Sequence, residues 1–302
     1  NSHLTCKSFF PPEKPGKLNK LPMNNALKKS IDGILKFALA EDKIHRDITS
    51  KILLDSRRVR VGIYFNEIGI LCGREVISYV AKKIDKRIKI KWGYNEGDKI
   101  KNNARVAIIT GPASKVIPCE RIILNFLQKL SGIATLTNTY ITQLKKSKIK
   151  LLDTRKTTPG WRYLEKYAVT IGGGQNHRKD LSQLILIKDN HIKICGNIRK
   201  TLEKISKTPT KEKIEVEVKK ISEINDAVKF KINRIMLDNF NVKEITKAIK
   251  IIRNSSRAEI ELSGNLNLKK IKTISKLDID YVSVGRITHS APFLNISINV
   301  LK

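Results

Sequence analysis

The first half of the chain changes repeatedly between helical and extended patterns of apolar residues. Residues 24–44 carry apolar side chains at a spacing of three and four, which predicts a helix. Residues 59–117 alternate short β-type runs with one helical segment near 75–85, and glycines fall where turns are expected. A further helix is predicted from Glu120 to about residue 146, with an interruption at Ser131-Gly132. This half is therefore predicted to be an α+β block.

From residue 149 onward, short β-type runs recur, and amphipathic helical segments separate the last five of them. Strands that alternate with helices predict a parallel sheet. Because no glycine-rich dinucleotide fingerprint follows the first strand, six such units favour a β/α barrel over an open sheet. The six runs are IKLLD (149–153), LILIK (184–188), IEVEV (214–218), RIMLD (234–238), AEIEL (258–262) and DYVSV (280–284).

Polar and charged residues of both signs follow almost every one of these runs. The first run leads into Asp153-Thr154-Arg155-Lys156, and later runs end near Glu217, Asp238 and Gly285-Arg286. In β/α barrels the reacting groups lie at the C-terminal ends of the strands. Charges can also mark only the points at which strands reach solvent. Both signs at the same end of five or six strands favour a convergent site.

Composition narrows the classes of function. Lys and Arg total 60 and Asp and Glu total 28, a net charge of +32. A basic surface attracts nucleic acid, but lysines occur in every segment rather than in one stripe. We therefore favour a compositional bias and expect no nucleic-acid partner. No run reaches the roughly 18 to 20 apolar residues of a membrane span, and no signal peptide is recognisable. The four scattered cysteines exclude a paired zinc site and fit a reduced, cytoplasmic setting.

Cationic side chains in three motifs indicate an anion-binding site. DTRKTTPG places Arg155 and Lys156 after the first barrel strand. Arginine offers carboxylates or phosphates a planar two-pronged donor, and lysine offers a compact charge. GGGQNHR adds His177 and Arg178, of which the histidine either binds a ligand or packs in the core. Lys188 ends an apolar strand, so we expect it to have a lowered pKa or to pair with an anion.

Glu217 and Asp238, at the ends of the next two strands, are the expected counter-charges. Two carboxylates can hold Mg²⁺ through water, or stabilise positive charge that develops on a substrate. Their alternative role is to act only as ion-pair partners of Lys188 and Arg155. The sequence by itself leaves both roles open.

These motifs together resemble one enzyme family. ERIILNFLQKLSGIAT, DTRKTTPGWR, KYAVTIGGGQNHR, LILIKDNHI, EVEV, MLDNF, ELSGN and VSVGRITHSAP look like the quinolinate phosphoribosyltransferases, and ALAEDKIHRDITS resembles their N-terminal motif. The resemblance covers roughly residues 25–295, and the stretch from DTRKTTPG to IKDNH is the most specific. Departures are few: Trp161 stands where Leu is common, and Pro118-Cys119 stands where Thr and a small residue are expected.

The resemblance implies a fold and a reaction. Members have an N-terminal α+β sandwich domain and a C-terminal open β/α barrel, and they form homodimers. They transfer phosphoribosyl from phosphoribosyl pyrophosphate to the ring nitrogen of quinolinate, with Mg²⁺, and release CO₂ and pyrophosphate to give nicotinate mononucleotide. We expect an arm at residues 1–22, a sandwich domain at 23–130 and a barrel at 131–289. The segment 290–302 is expected to pack back on the sandwich domain.

The resemblance also implies roles for individual residues. By position, Arg155 and Arg178 resemble the binders of the quinolinate carboxylates, together with Arg121 from the partner subunit. Lys156 and Lys188, with His177 nearby, resemble the groups on the phosphates. The implied catalytic residues are Lys156, Lys188, Glu217 and Asp238. The full implied substrate-binding set is Arg121, Thr154, Arg155, Lys156, His177, Arg178, Lys188, Glu217, Asp238, Ser263, Gly264, Asn265, Gly285 and Arg286.

The last members of that set have separate expected tasks. Glu217 and Asp238 resemble the carboxylates near the ribose hydroxyls and the metal, which they would hold through water. Ser263-Gly264-Asn265 and Gly285-Arg286 resemble the cradle of the 5′-phosphate. A nucleic-acid binder that uses the same cations, and a related phosphoribosyltransferase that acts on another pyridine or a purine-like substrate, are the alternatives.

Overall fold

A computed structural model describes residues 23–55 and 57–301, so the predicted arm at 1–22 lies outside the described residues. Elements are numbered in chain order. The first part of the chain forms helices α1 (Asn25–Asp42), α2 (Ile48–Leu53), α3 (Arg74–Ile84), α4 (Ala113–Val116), α5 (Glu120–Leu144) and α6 (Arg162–Ile171), and strands β1 (Arg58–Phe65), β2 (Gly69–Ile70), β3 (Lys89–Trp92), β4 (Lys99–Ile100), β5 (Ala104–Pro112) and β6 (Lys150–Leu152). A 3₁₀ turn at Ile44–Arg46 joins α1 to α2.

The second part alternates strands and helices, as its sequence pattern predicts. Its strands are β7 (Ile185–Ile187), β8 (Ile214–Val218), β9 (Arg234–Asp238), β10 (Glu259–Ser263), β11 (Tyr281–Ser283) and β12 (Ile296–Val300). Its helices are α7 (Asp189–Ile194), α8 (Ile198–Ser206), α9 (Ile221–Ala227), α10 (Val242–Ser255), α11 (Leu268–Ile274) and α12 (Arg286–His289). Within the described residues no helix is both long and apolar enough to span a bilayer.

N-cap residues determine where the first helices begin. The Asn24 side chain accepts a hydrogen bond from the backbone N–H of Leu27 (2.8 Å), which caps the start of α1. Leu27, Ile31 and Leu35 then repeat every four residues and are buried. Asp47 caps α2 in the same way, through the backbone N–H of Ser50 (3.0 Å).

Chain contacts divide the described residues into two units. The first contains the chain up to Leu136, the segment Pro159–Gly172 and the chain from Ala291 onward; the second contains Thr137–Thr158 and Gly173–Ser290. This division differs from the predicted domain ranges. The segment Pro159–Gly172 lies with the first unit because Trp161 packs on Phe126, with ring centroids 5.0 Å apart, and α6 packs on α1.

The first unit contains an antiparallel sheet in the order β12-β1-β5-β3. On β1, Val61, Ile63 and Phe65 lie on one face of the strand and are fully buried, so this face packs on the core. Strand β12 pairs with β1 over five residues, from Val61↔Val300 to Phe65↔Ile296. The end of the chain thus returns to the sheet of the first unit.

Helix α5 is continuous, so the predicted interruption at Ser131-Gly132 is wrong. Gly132 marks a close approach rather than a break. A Cβ atom there would overlap the carbonyl oxygen of Pro292. The Ser131 hydroxyl lies 3.1 Å from both the backbone N and the O of Cys72. Both small residues are therefore explained by tertiary packing inside the first unit.

The second unit contains six parallel strands in the order β6-β11-β10-β9-β8-β7. The two end strands, β6 and β7, are not paired with each other in the described structure, and the sheet is therefore open. The predicted fold class, an α+β domain followed by an open parallel β/α barrel, is confirmed. The register sets Glu217 beside Met236 and Asp238 beside Ser263.

Alternate residues of the central strands face opposite sides of this sheet. On β8 and β10, Val216, Val218 and Ile260 are fully buried on one side. Glu215 and Glu261, on the other side, are also fully buried. The interior of the barrel therefore contains ionisable groups and is not filled by apolar side chains alone.

Candidate active site

A cavity of about 920 Å³ lies at the C-terminal ends of the parallel strands, within the second unit. It is lined by the loops that follow β6, β9, β10 and β11, and by the ends of β7, β8 and β9. The predicted residues that line it are Thr154, Arg155, Lys156, His177, Arg178, Lys188, Glu217, Asp238, Ser263, Gly264, Asn265, Gly285 and Arg286.

The loop after β6 holds two of the cations. The Thr154 hydroxyl oxygen accepts a hydrogen bond from the backbone N–H of Lys156 (3.0 Å), and the Thr288 hydroxyl donates to the Lys156 carbonyl (2.8 Å). A Cβ atom on Gly285 would stand 3.0 Å from Cδ of Lys156, so a side chain there would displace the lysine. The side chains of Arg155 and Lys156 remain exposed to the cavity.

Arg178 is held from both ends. Its backbone N–H donates to Nδ1 of His177 (2.8 Å), and its guanidinium donates to the carbonyl of Leu184 (2.9 Å). The backbone N–H of His177 donates in turn to Oδ1 of Asp153 (2.9 Å). Burial, and after it the like charge of Arg155, lowers the pKa of Arg178. The two arginines are therefore close enough to repel each other, and an anion placed between them would relieve that repulsion.

Strands β7, β8 and β9 carry the mixed charges. Nζ of Lys188 lies 3.2 Å from Oε2 of Glu217, so the expected pairing of this lysine with an anion is present. Asp238 ends β9, where its Oδ2 accepts a hydrogen bond from Nδ2 of Asn239 (3.1 Å). The cavity thus contains lysine and arginine side chains opposite two carboxylates.

The loop after β10 has an unusual backbone. Gly264 (φ 87°), Asn265 (φ 46°) and the facing Asn239 (φ 62°) all occupy the left-handed region. Glycine accepts that conformation readily, and asparagine accepts it better than most residues. A Cβ atom on Gly264 would overlap the side chain of Asn239, so the two loops approach too closely for any larger residue at position 264.

A buried charged layer lies beneath the cavity. Nη1 of Arg234 is 2.8 Å from Oε2 of Glu261 and 3.8 Å from Oε2 of Glu215. Nε2 of His177 lies 3.3 Å from Glu215 and 3.6 Å from Glu261. Burial raises the pKa of Glu215 to about 7, and burial together with Glu215 raises that of Glu261 to about 7.

One predicted residue lies elsewhere. Arg121 is exposed on α5, in the first unit, and it is not among the described residues that line the cavity. Among the described residues of the second unit that line the cavity, the arginines are Arg155, Arg178 and Arg286.

Two family models match the chain in succession. The model of the quinolinate phosphoribosyl transferase N-terminal domain matches residues 47–131, and the model of the C-terminal domain matches residues 133–299. The chain belongs to the quinolinate phosphoribosyltransferase family. The second match contains every residue of the cavity.

Relatives from plants and bacteria agree with this assignment. A quinolinate phosphoribosyltransferase [decarboxylating] 1b of Nicotiana tabacum is 33% identical over 291 residues, which cover 89% of this chain and 82% of the relative. A probable nicotinate-nucleotide pyrophosphorylase [carboxylating] of Bacillus subtilis is 34% identical over 268 residues, which cover 88% of this chain and 92% of the relative.

Solved structures give the same result. The chain is similar to nicotinate-nucleotide pyrophosphorylase from Ehrlichia chaffeensis, with a TM-score of 0.85 and 34% identity, covering 89% of this chain and 98% of that one. It is also similar to the enzyme of that name from Francisella tularensis, with a TM-score of 0.84 and 38% identity, covering 90% of this chain and 96% of that one.

Several cavity residues of this family member were not predicted from the sequence. Asn239, Asn267, His289 and Ser290 all line the cavity. Asn239 and His289 stand inside the motifs MLDNF and VSVGRITHSAP. Charged residues at the ends of strands were selected from the sequence, and neither of these two is such a residue. Asn239 had one available signal, since asparagine directly after a strand is a frequent left-handed residue.

Proposed function

We propose that this chain transfers phosphoribosyl from phosphoribosyl pyrophosphate to the ring nitrogen of quinolinate. The carboxyl group beside that nitrogen then leaves as CO₂, and the products are nicotinate mononucleotide and pyrophosphate. The reaction belongs to NAD biosynthesis. The observation that carries the proposal is one cavity in which Arg155, Lys156, Arg178 and Lys188 face Glu217 and Asp238. Both substrates are polyanions, and the reacting carbon between them becomes positive.

The arginines suit the carboxylates of quinolinate. Arg155 and Arg178 lie close enough to affect each other's charge, and each guanidinium can bind a carboxylate through two parallel hydrogen bonds. We assign these two residues to the pyridine dicarboxylate. Thr154, on the same loop as Arg155, lies within contact of the substrate in this assignment.

The lysines suit the phosphate groups. Lys156 and Lys188 carry compact charges on flexible stems, which can follow the pyrophosphate as its bond to the ribose lengthens. Lys188 reaches the cavity from β7 and is already paired with Glu217, so arriving phosphate would compete with that carboxylate for it. A 5′-phosphate fits the narrow loop Ser263-Gly264-Asn265 together with Gly285-Arg286, a late-strand position that β/α barrels often use for phosphate.

Glu217 and Asp238 are assigned to the ribose. The ring nitrogen forms a bond to the anomeric carbon, and the electron pair of the broken C–O bond leaves with pyrophosphate. Positive charge grows on the sugar ring during this exchange, and fixed carboxylates stabilise it. In the later step the electron pair of the C–CO₂ bond stays on the ring carbon beside the cationic nitrogen, and that carbon takes up a proton.

The same two carboxylates fit the implied metal. Mg²⁺ prefers oxygen ligands and retains several of its waters, and Glu217 and Asp238 present carboxylate oxygens from neighbouring strands in one cavity. We propose that they hold Mg²⁺ through water. The bound ion would neutralise the charge of the departing pyrophosphate.

A homodimer would complete the site. Arg121 is exposed on α5, and we propose that it enters the cavity of the partner subunit as a third arginine for the quinolinate carboxylates. The first unit also exposes apolar side chains that suit an interface: on the short helix α2, Ile48 and Ile52 lie one turn apart, and both are about three-quarters exposed. Free Cys72, Cys119 and Cys195 support a reducing compartment, and we propose the cytoplasm.

One assay separates this function from its alternatives. The protein is mixed with Mg²⁺, phosphoribosyl pyrophosphate and either quinolinate or nicotinate, and CO₂ and pyrophosphate are measured. Equal release of CO₂ and pyrophosphate with quinolinate supports the proposal. Pyrophosphate release with nicotinate alone would favour a related transferase. Absence of turnover, with salt-sensitive DNA binding that survives removal of Arg155 and Lys188, would favour a nucleic-acid binder.

A further inference from the structure

The imidazole of His177 makes hydrogen bonds on both sides, which determines its tautomer. Its Nδ1 atom accepts the backbone N–H of Arg178 at 2.8 Å, so Nδ1 carries no proton. In a neutral imidazole the proton is then on Nε2. This N–H points between two buried carboxylates, at 3.3 Å from Oε2 of Glu215 and 3.6 Å from Oε1 of Glu261.

We infer that Glu215 and Glu261 are positioning residues: they orient the ring of His177 through its Nε2–H and thereby fix Arg178 in the cavity. The inference rests on the proposed function for the ligand of Arg178, which is the quinolinate carboxylate. In this arrangement His177 holds the loop through hydrogen bonds of both ring nitrogens. These hydrogen bonds explain the position of His177 without the phosphate contact that the family resemblance implies.

Glu215 and Glu261 are fully buried, on β8 and β10. In the described structure, Oε2 of Glu215 and Oε1 of Glu261 have no hydrogen-bond partner within ideal geometry, and Nε2 of His177 is 3.5 Å from the other oxygen of Glu215. A buried carboxylate oxygen without a donor is costly, and the single N–H of His177 is placed to serve both. Positive charge near the pair comes from Arg234, at 2.8 Å from Glu261, and from Arg178 and Lys188, which act on Glu215.

A metal site is the other arrangement that these three side chains suggest. One ligand atom from each of His177, Glu215 and Glu261 can lie within 4.8 Å of the others. However, a metal would need the lone pair of Nε2, and that nitrogen carries the proton when Nδ1 accepts from Arg178. Arg234 also places a cation against both carboxylates. The geometry therefore favours a hydrogen-bonded stack over a metal centre.

His177 and Arg178 line the main cavity and also a second cavity of about 310 Å³ at the opposite ends of the strands. They therefore form part of the wall between the two cavities. The ring of His177 is buried in that wall, and Arg178 depends on the ring for one of its two anchors.

The chain offers a matched pair of variants for the test. Glu261→Gln removes a carboxylate that contacts both His177 and Arg234. Glu259→Gln, two residues earlier on β10, removes a carboxylate that contacts Arg234 at 3.1 Å but is not among the partners of His177. Both variants weaken the ion pairs of Arg234, but Glu261 is fully buried and Glu259 is partly exposed, so spectra of the His177 ring are needed beside the kinetics.

Two measurements are made on the full chain. In steady-state assays we expect Glu261→Gln to raise the KM for quinolinate about tenfold, with the KM for phosphoribosyl pyrophosphate and kcat changed less than about threefold. Glu259→Gln should leave both KM values near those of the wild type. In ¹H–¹⁵N spectra of histidine-labelled protein, His177 should show its proton on Nε2 in all three proteins, and its Nε2–H signal should shift in Glu261→Gln but not in Glu259→Gln.

Several outcomes would overturn the inference. A proton on Nδ1 of His177 in the wild type would do so, as would equal changes in KM for the two glutamate variants. If Glu261→Gln does not fold, Glu215→Gln replaces it, with the same expectations. Absence of CO₂ release by the wild type would instead refute the proposed function, and the histidine spectra would still decide whether the carboxylates orient His177.

Discussion

Nζ of Lys188 lies 3.2 Å from Oε2 of Glu217, so the ends of β7 and β8 hold opposite charges in contact at the mouth of the barrel. The lysine is half-exposed and its carboxylate partner is mostly buried. Because the carboxylate is partly desolvated, the attraction between the two charges is offset by the cost of burying it, and the pair adds little net stability. Its position in the cavity indicates that its value lies in binding and catalysis.

Replacing Lys188 therefore should affect turnover much more than folding. We expect Lys188→Met to lower kcat/KM about 100-fold, which corresponds to about 3 kcal/mol, because a cation that follows the pyrophosphate is lost. Lys219→Met is the control, since Lys219 has the same side-chain exposure and an ion pair with Asp189 (2.9 Å) but does not line the cavity. Steady-state kinetics and thermal unfolding of both variants test this, and equal kinetic losses would contradict it.

Arg155→Ala should reduce kcat/KM for quinolinate by about two orders of magnitude, because half of a two-arginine carboxylate site is removed. The loss should appear mainly as a higher KM for quinolinate. Arg199→Ala serves as the reference, since Arg199 lies on α8 in an exposed pair with Glu203 (3.1 Å). Near-normal turnover of Arg155→Ala would refute the assignment of this residue to the substrate.

Gly264→Ala should impair both activity and folding. The left-handed backbone (φ 87°) costs an alanine about 1 kcal/mol, and the new Cβ would also displace the side chain and backbone of Asn239. Gly196→Ala isolates the first effect, since Gly196 has a similar φ of 97° but only Lys200 within contact distance, at 3.7 Å. We expect Gly264→Ala to lose at least about tenfold in kcat/KM and to have the lower Tm. Matching behaviour of the two variants would show that crowding at Asn239 is unimportant.

Mixing two inactive variants tests whether Arg121 acts across a dimer. Arg121→Ala and Lys188→Met are unfolded together and refolded. If Arg121 enters the partner's site, each heterodimer has one intact site, and roughly a quarter of wild-type activity returns. Arg155→Ala mixed with Lys188→Met should restore nothing, because both residues belong to the cavity of the same chain. No recovery in the first mixture would place Arg121 in its own subunit's site or outside any site.

The stability of the protein should fall as the pH rises through the neutral range. Burial, and after it Glu215, raises the pKa of Glu261 from its ordinary 4.5 to about 7. Between these values the folded state retains a proton that the unfolded state releases, so unfolding becomes more favourable with rising pH. We expect the Tm of the wild type to decline from pH 5 to pH 8 more steeply than that of Glu261→Gln. Parallel slopes for the two proteins would contradict the raised pKa.

The strands of the barrel were predictable from local pattern. Runs such as RIMLD and IEVEV are short stretches rich in apolar and β-branched residues, and each forms a strand within a residue or two of its predicted bounds. The site residues of the second unit could also be predicted, because parallel strands with helical crossovers bring all their C-terminal ends together. The motifs around Arg155, His177 and Lys188 then indicated the family.

Other features depended on contacts between distant residues. Ser131-Gly132 suggested a break in a helix, and only the returning segment at Pro292 shows why small residues stand there. The segment Pro159–Gly172 follows the barrel loop in sequence but packs in the other unit. No local pattern contains this information, because each case depends on what occupies the space next to the residue.

The sequence by itself determined the order of strands and helices, the family and the charges that meet an anionic substrate, since these depend on residue type and spacing. The glutamates of IEVEV and AEIEL looked the same in sequence whether they faced solvent or one another. The tertiary structure buries Glu215 and Glu261 in the sheet, where His177 and Arg234 lie beside them. Burial decides the energy of a charge, and burial is a property of the tertiary structure alone.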